Sequence, residues 1–352
     1  MTHSPGTPLA LVLALVSCLG FATLPALAAA PKAAPPATAQ KEGAAGAFEQ
    51  LVDATNAVVG VKVKALANAR SSKTLGLERS GSGVLIAPEN LVVTIGYLIL
   101  EAEDVEITTS KGRTVPAIVA AYDHATGFGL LRPMAPLDVK PARLGLSASV
   151  DPLDRLMIVA VGGEDSVSVA TVVSKRLFAG YWEYLIDEAI FTSPPRADFG
   201  GAALINKQGE LVGIGSLFVM DAMTPGERLP GNMFVPIDLL KPILGEMIKT
   251  GRQSGGLRPW LGVNMLEEDG RLKVLRVTDE GPAELAGLAP GDLILSLSGV
   301  KVARLDDFYR RLWSSGAPGV EITLKVLHGT EVRELRIRSI DRLEFLRKKP
   351  AV

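Results

Sequence analysis

Asp123-His124 is the one place in the chain where a carboxylate and an imidazole are neighbours. Such a pair invites acid–base chemistry, and with a nucleophilic hydroxyl or thiol it would suit acyl transfer. The chain offers few parts for it. Its histidines are His3, His124 and His328, and its only cysteine is Cys18. Adjacent residues at a strand end point to opposite faces, so Asp123 does not orient His124 as an acid orients a base. His124 therefore reads as an exposed loop residue. His328, in Leu327-His328-Gly329-Thr330, reads as an exposed turn residue. Ser193 precedes Pro194-Pro195 with no imidazole near it in the sequence. Tyr97 has an ordinary pKa of about 10, poorly matched to acid–base work near neutrality, and reads as a core or cleft filler. Asp198 with Asp187 or Glu188 makes no recognisable carboxylate pair, so all three read as solvated loop acids. A single cysteine excludes a disulfide framework and a cysteine-based metal site. No phosphate loop, dinucleotide motif or metal-ligand cluster occurs, so neither cofactor nor metal is expected. Lys and Arg total 37 against 38 Asp and Glu, a net charge of -1 that leaves no electrostatic footprint for nucleic acid.

The elements that would have to position these residues are mostly short strands. With 47% hydrophobic and 21% charged residues over 352 positions, the chain has the composition of a packed protein of two or three domains. Residues 1–30 carry no Lys, Arg, Asp or Glu, and Leu9 to Ala22 is mostly apolar. Ala26-x-Ala28 and Ala28-x-Ala30 fit a signal peptidase, so 1–30 reads as a secretory signal peptide cleaved near Ala28–Ala30. Leu15-Val16-Ser17-Cys18 leaves open a lipid anchor on Cys18, and an uncleaved membrane anchor is a third reading. All three place the rest of the chain outside the cytoplasm, periplasmic or secreted. The Ala/Pro-rich stretch 31–47 has no hydrophobic period and predicts a flexible tether. From Val58 to Leu217, runs of three to ten apolar-rich residues alternate with Gly/Pro punctuation, which predicts an all-β barrel or sandwich pair. Leu239, Leu240, Ile243, Leu244, Met247 and Ile248 then share one face of a helix over Pro236–Gly251.

Several of these runs, taken as a set, resemble one family. They are Gly81-Ser82-Gly83-Val84-Leu85-Ile86, Val92-Val93-Thr94, Ala142-Arg143-Leu144-Gly145, Asn206-Lys207-Gln208-Gly209-Glu210-Leu211-Val212-Gly213-Ile214 and Phe234-Val235-Pro236-Ile237. The order is similar to that of HtrA-type proteases, extracytoplasmic members of the chymotrypsin-like serine protease superfamily. Trp260-Leu261-Gly262-Val263 and Gly281-Pro282-Ala283-Glu284-Leu285-Ala286-Gly287-Leu288-Ala289-Pro290-Gly291-Asp292 look like the PDZ domain of that type. The resemblance implies a mainly β chain. A double β-barrel chymotrypsin-like (trypsin-like) domain, two six-stranded barrels closed by a helix, would cover 48–251. A hinge at 252–258, a PDZ domain at 259–342 and a tail at 343–352 would follow.

The resemblance also implies where a triad would stand, and the expected residues are missing. The histidine position in Thr94-Ile95-Gly96-Tyr97-Leu98 holds Tyr97. The aspartate position in Asp123-His124-Ala125-Thr126-Gly127-Phe128 holds Gly127. In Arg196-Ala197-Asp198-Phe199-Gly200-Gly201-Ala202-Ala203, counting back from Asn206 puts Gly200 at the nucleophile, while pairing the glycines puts Phe199 there. No Ser, Thr or Cys lies between Pro194 and Leu204. No catalytic residue is therefore assigned. This resembles a pseudoprotease member of the family.

Peptide capture is the chemistry that remains. A PDZ domain adds an extended peptide to a sheet edge and holds its terminal carboxylate on the amides of a short loop. The resemblance puts that loop at Trp260-Leu261-Gly262-Val263 and the pairing strand at Val263 to Leu266, with Met265 in it. Phe308 and Leu312, on a helix over Leu305–Trp313, read either as groove wall or as plain PDZ core. The implied function is binding of protein C-termini or unfolded segments outside the cytoplasm, in quality control or in regulation of an active HtrA-type partner protease. The alternative is an active serine-type endopeptidase with an atypical site. Family members that trimerise do so through N-terminal aromatics, and Phe48 is the only one here between leader and barrel.

Overall fold

The computed structural model describes residues 37–347 apart from 88–89, 162–164, 254 and 256, with side chains from residue 46 onward. The leader, its cleavage region and Cys18 lie outside the described residues. Helix α1 (Ala37–Asn56) runs through the second half of the stretch expected as a flexible tether. The composition that suggested a tether is rich in alanine, the strongest helix former, once the prolines have ended at Pro36. At its C-terminal end Ala54 is buried against the first barrel, while Phe48 stays 68% exposed.

Six strands form that barrel: β1 (Val58–Ala65), β2 (Glu78–Ile86), β3 (Leu91–Ile95), β4 (Ala102–Thr108), β5 (Thr114–Tyr122) and β6 (Phe128–Pro133). They close in the order β1-β2-β3-β6-β5-β4. β1 shows why: Val61, Val63 and Ala65 point inward while Lys62 and Lys64 point out, the period-two pattern of a strand with one wet face. A one-turn helix, α2 (Ser72–Leu75), lies in the loop between β1 and β2. The second domain half holds β7 (Arg143–Leu144), β8 (Arg155–Val159), β9 (Val167–Gly180), β10 (Tyr184–Ser193), β11 (Ala203–Ile205), β12 (Glu210–Val219) and β13 (Gly231–Pro236). Their order is β11-β8-β9-β10-β13-β12, and β12 also pairs with β11, so six strands close on themselves with β7 appended to β12. Helix α3 (Lys241–Thr250) follows. Gly251 ends it at φ 76°, in the left-handed conformation that glycine adopts without a Cβ penalty.

The C-terminal sheet contains β14 (Val263–Glu268), β15 (Arg271–Val277), β16 (Leu293–Leu297), β17 (Val300–Lys301), β18 (Glu321–His328) and β19 (Glu331–Arg338). Its order is β14-β15-β16-β18-β19, which leaves β14 at one edge. Short α4 (Pro282–Leu285), longer α5 (Leu305–Ser314) and α6 (Arg342–Phe345) complete it. On α5, Leu305, Phe308, Tyr309 and Leu312 recur at i, i+3, i+4 and i+7 and are all buried. Leu185 of β10 is buried in the same apolar cluster as Leu261, Phe308 and Leu312, so the hairpin β9–β10 is packed directly on this domain.

Candidate functional site

β3 ends at Ile95 and a 3-10 turn, Gly96–Leu98, presents Tyr97. The Tyr97 hydroxyl donates to the Ser216 carbonyl oxygen at 3.1 Å. Burial drives its pKa far above the ordinary value, so the phenol stays protonated. Arg79 holds the turn from below, its Nη1 donating to the carbonyls of Tyr97 at 3.0 Å and Leu100 at 2.8 Å.

Gly200 stands opposite. A Cβ built on it would lie 2.9 Å from the Tyr97 Oη. That contact sets Gly200 directly against Tyr97. The loop is pressed against both barrels. Ser82 N–H donates to Gly200 O at 2.8 Å, and Gly201 N–H donates to Gly215 O at 2.8 Å. A Cβ on Gly201 would fall 1.9 Å from Ser82 O. Arg196 grips Asp198 with two hydrogen bonds of 2.8 and 2.6 Å, which tie the loop down. Asp198 is therefore an ion-paired residue and not a solvated acid. Asp187 stays exposed at the surface, as expected, and there pairs with Arg310 of α5.

Gly127 lies next to this turn through its carbonyl, which accepts from Gly96 N–H at 2.7 Å. It adopts φ 82°. A Cβ there would point at the Tyr184 hydroxyl, 3.0 Å away. Tyr184 in turn donates to Thr126 O at 2.6 Å, and Asp123 accepts from Thr126 N–H and Oγ1–H at 2.8 and 2.6 Å.

His124 is not the exposed loop residue its sequence context suggests. Tyr122 Oη lies 3.3 Å from its Nδ1, and Arg342 Nη1 lies 2.9 Å from the same nitrogen. Burial, with the Arg342 and Arg258 charges, holds its pKa well below 6.5, so it is neutral. His328 also has a partner, Asp292 Oδ1 at 2.7 Å from its Nδ1. Ser193 donates to Pro230 O at 2.9 Å. Among the described residues, no serine or threonine hydroxyl hydrogen-bonds either histidine, and no group of three metal-ligating side chains occurs.

The loop before β14 is the second candidate site. Leu261, Val263, Met265, Phe308 and Leu312 are all buried in the domain's apolar cluster. Trp260 packs its ring 5.0 Å from that of Phe345 and pairs its backbone with Ile340. Gly262 has φ 81°, and a Cβ on it would meet the Trp260 ring at 3.1 Å and Thr278 at 3.2 Å. Its need for glycine is therefore conformational, more than a matter of clearing space for a ligand. The three successive N–H groups of Leu261, Gly262 and Val263 converge on a carboxylate, that of Glu183. Burial raises the Glu183 carboxyl to about 7, against the downward pull of those three donors. Sequence reasoning passed over Glu183. The available signal was an acid set among three aromatics, Tyr181-Trp182-Glu183-Tyr184, at a turn between two long strand runs.

The trypsin-like peptidase domain family matches residues 81–214, and the PDZ domain family matches 259–338. In both domains the chain resembles HtrA-type proteases. It is 26% identical over 261 residues to the serine endoprotease DegS of Haemophilus influenzae, covering 70% of this chain and 73% of that one. It is 25% identical over 265 residues to putative protease Do-like 14 of Arabidopsis thaliana, covering 64% of this chain and 58% of that one. The chain thus spans about three-fifths of the length of several relatives it matches. A solved structure of the HtrA-type protease AlgW with a decapeptide superposes at a TM-score of 0.50 and 20% identity, over 86% of this chain and 99% of that one, a likeness of fold. Among the described residues, no helix is long and apolar enough to cross a membrane.

Proposed function

We propose that this HtrA-type chain is a non-catalytic peptide-binding protein acting outside the cytoplasm. The observation that carries this reading is Tyr97 against Gly200, a protonated phenol facing a glycine where an imidazole and a hydroxyl would have to meet. Neither residue supplies a nucleophile, and Gly127 supplies no carboxylate to orient a base. The PDZ domain provides the remaining chemistry. Its edge strand β14 offers main-chain pairing, and the amides of Leu261, Gly262 and Val263 offer a carboxylate site. The ligands on this reading are free C-termini of proteins or unfolded segments, captured for quality control or to regulate an active HtrA-type protease. The apolar leader supports a location outside the cytoplasm, as does the description of a 24% identical relative from Hahella chejuensis as a probable periplasmic endoprotease.

The test is a casein and fluorogenic-peptide assay on the purified mature protein, beside titration calorimetry with paired peptides ending in a free acid or an amide. No turnover and preferential binding of the acid are expected, because charge-assisted hydrogen bonds are roughly twice as strong as neutral ones. Turnover would overturn the non-catalytic reading, and equal affinity for acid and amide would overturn the carboxylate site.

A further inference from the structure

The amides that would receive a peptide carboxylate are already engaged, and by a residue of the other domain. Glu183 lies at the tip of the β9–β10 hairpin, yet its side chain reaches into the PDZ loop. Gly262 N–H donates to Glu183 Oε1 at 2.7 Å, Val263 N–H donates to the same oxygen at 2.9 Å, and Leu261 N–H donates to Oε2 at 3.1 Å. The contact does not stop at the carboxylate. Two residues upstream, the Tyr181 carbonyl accepts from Met265 N–H on the β14 edge at 2.9 Å. A terminal carboxylate on the loop, with main-chain pairing to the edge strand a little further back, is how an extended peptide is recognised by sheet addition. The hairpin reproduces both halves with its own chain.

The wall opposite β14 completes the grip. Tyr309 of α5 donates its hydroxyl to Gly180 O at 2.7 Å and accepts from Glu183 N–H at 3.2 Å. Arg310, next on α5, pairs with Asp187 on the outgoing strand. Glu183 itself sits at φ 58°, a left-handed conformation that non-glycine residues hold only when surrounding contacts fix it. It is 2% exposed, and a buried carboxyl group is costly unless hydrogen-bonded, which the three loop amides provide.

We propose that the tip of the β9–β10 hairpin is a built-in ligand of the PDZ domain: the Glu183 side-chain carboxylate takes the place of a peptide α-carboxylate, and a C-terminal peptide binds by displacing Gly180–Glu183. This rests on the peptide-binding reading of the PDZ domain. A tethered competitor acts at a high effective concentration without needing high intrinsic affinity. The apparent affinity for an incoming peptide is then reduced by the fraction of molecules in which the hairpin is undocked.

The experiment uses the full mature chain and a fluorescein-labelled decapeptide ending Ala-Gly-Tyr-Trp-Val. Its third-last carbonyl can take the Tyr181 position when its α-carboxylate takes that of Glu183. Fluorescence anisotropy compares wild type, Glu183→Ala and the milder Glu183→Gln, each checked for folding by circular dichroism, with the amidated peptide as control. Hydrogen exchange at Leu261, Gly262 and Val263 is followed in parallel. The expected result is binding at least about tenfold tighter to Glu183→Ala than to wild type, a smaller gain for Glu183→Gln, and no comparable gain with the amide. The loop amides should exchange faster in Glu183→Ala and be protected again by the peptide. Equal affinity of all three proteins for the free acid would overturn the built-in ligand and leave peptide binding standing. No binding by the folded Glu183→Ala protein would overturn the peptide-binding reading, and the proposal with it.

Discussion

A side chain at Gly200 would begin 2.9 Å from the Tyr97 hydroxyl, and these are two of the positions where the resemblance to HtrA-type proteases leads one to expect a triad. The relationship suggests a repair, Tyr97→His with Gly127→Asp and Gly200→Ser. We expect the triple variant to stay inactive. An aspartate at 127 would have to hold φ 82° with its Cβ 3.0 Å from the Tyr184 hydroxyl, and so would not be aimed at position 97. A histidine without an orienting carboxylate loses roughly 10⁴ in turnover. Fluorogenic-peptide turnover by the variant, within about a hundredfold of an active family member, would show that Gly127 can carry the role.

Gly201 is held more tightly than its neighbour. It combines φ 76° with a would-be Cβ contact of 1.9 Å to Ser82 O, backbone that cannot swing aside. Gly226 has a similar φ of 82° and open space around it. Gly201→Ala should cost more than about 3 kcal/mol or prevent folding, whereas Gly226→Ala should cost about 1 kcal/mol for its dihedral alone. Urea denaturation of the two variants separates steric exclusion from backbone preference. Similar midpoints would refute the distinction.

Glu183 should titrate far from its ordinary range. Burial lifts its carboxyl from 4.5 to about 7 in the docked hairpin, with Arg342 and the three loop amides pulling the other way and the Tyr309 hydroxyl beside it. An acid whose folded pKa is raised binds its proton more tightly when docked. Docking is therefore strongest below about pH 4.5, weakens as pH rises to about 7, and is flat above that. Carbon-13 NMR of Glu-labelled protein should show one carboxyl resonance with a midpoint near 7 that vanishes in Glu183→Gln. A set of midpoints all near the ordinary value would contradict this burial effect.

Glu101 should behave in the opposite sense. Burial alone would raise its pKa, but hydrogen bonds from Ser71, Arg347 and Arg70 outweigh that and hold it below 4.5. Its oxygens accept from Ser71 N–H at 2.7 Å, Arg347 N–H at 2.7 Å and Arg70 N–H at 3.0 Å, joining the β1–β2 loop to the C-terminal segment. The stability it contributes is present above its ordinary pKa and is lost as pH falls through the depressed one. Glu101→Gln should cost about 1–3 kcal/mol at pH 7. Thermal melts should show the gap between variant and wild type closing in acid, and a gap independent of pH would refute the assignment.

The features legible in the sequence are those written in local pattern. The alternation of Val61, Val63 and Ala65 with Lys62 and Lys64 marks a strand with one wet face, since side chains on a strand alternate whatever lies beyond it. Gly251 marks the end of α3, because the left-handed cap favours glycine irrespective of tertiary context. The missing Ser, Thr or Cys between Pro194 and Leu204 is legible in the same way, being a matter of residue type alone. The stretch 31–47, whose composition predicts a tether, is helical from Ala37 onward, where alanine's helix preference acts free of proline.

Other facts had no local signature. Phe199 and Gly200 are adjacent, and only the meeting of the two barrels puts Gly200 before Tyr97. His124 looks exposed until Arg342, 218 residues later, closes over it. Trp260 belongs to a peptide-loop motif, yet its ring lies on Phe345. Glu183 and Gly262 are 79 residues apart, on different domains, and nothing in either segment's composition names the other. Periodicity and turn chemistry act over a few residues, through backbone sterics and neighbouring side chains. Which carboxylate reaches a given row of amides is set by how two separately folded units pack, and that packing was decided only when both surfaces existed in three dimensions.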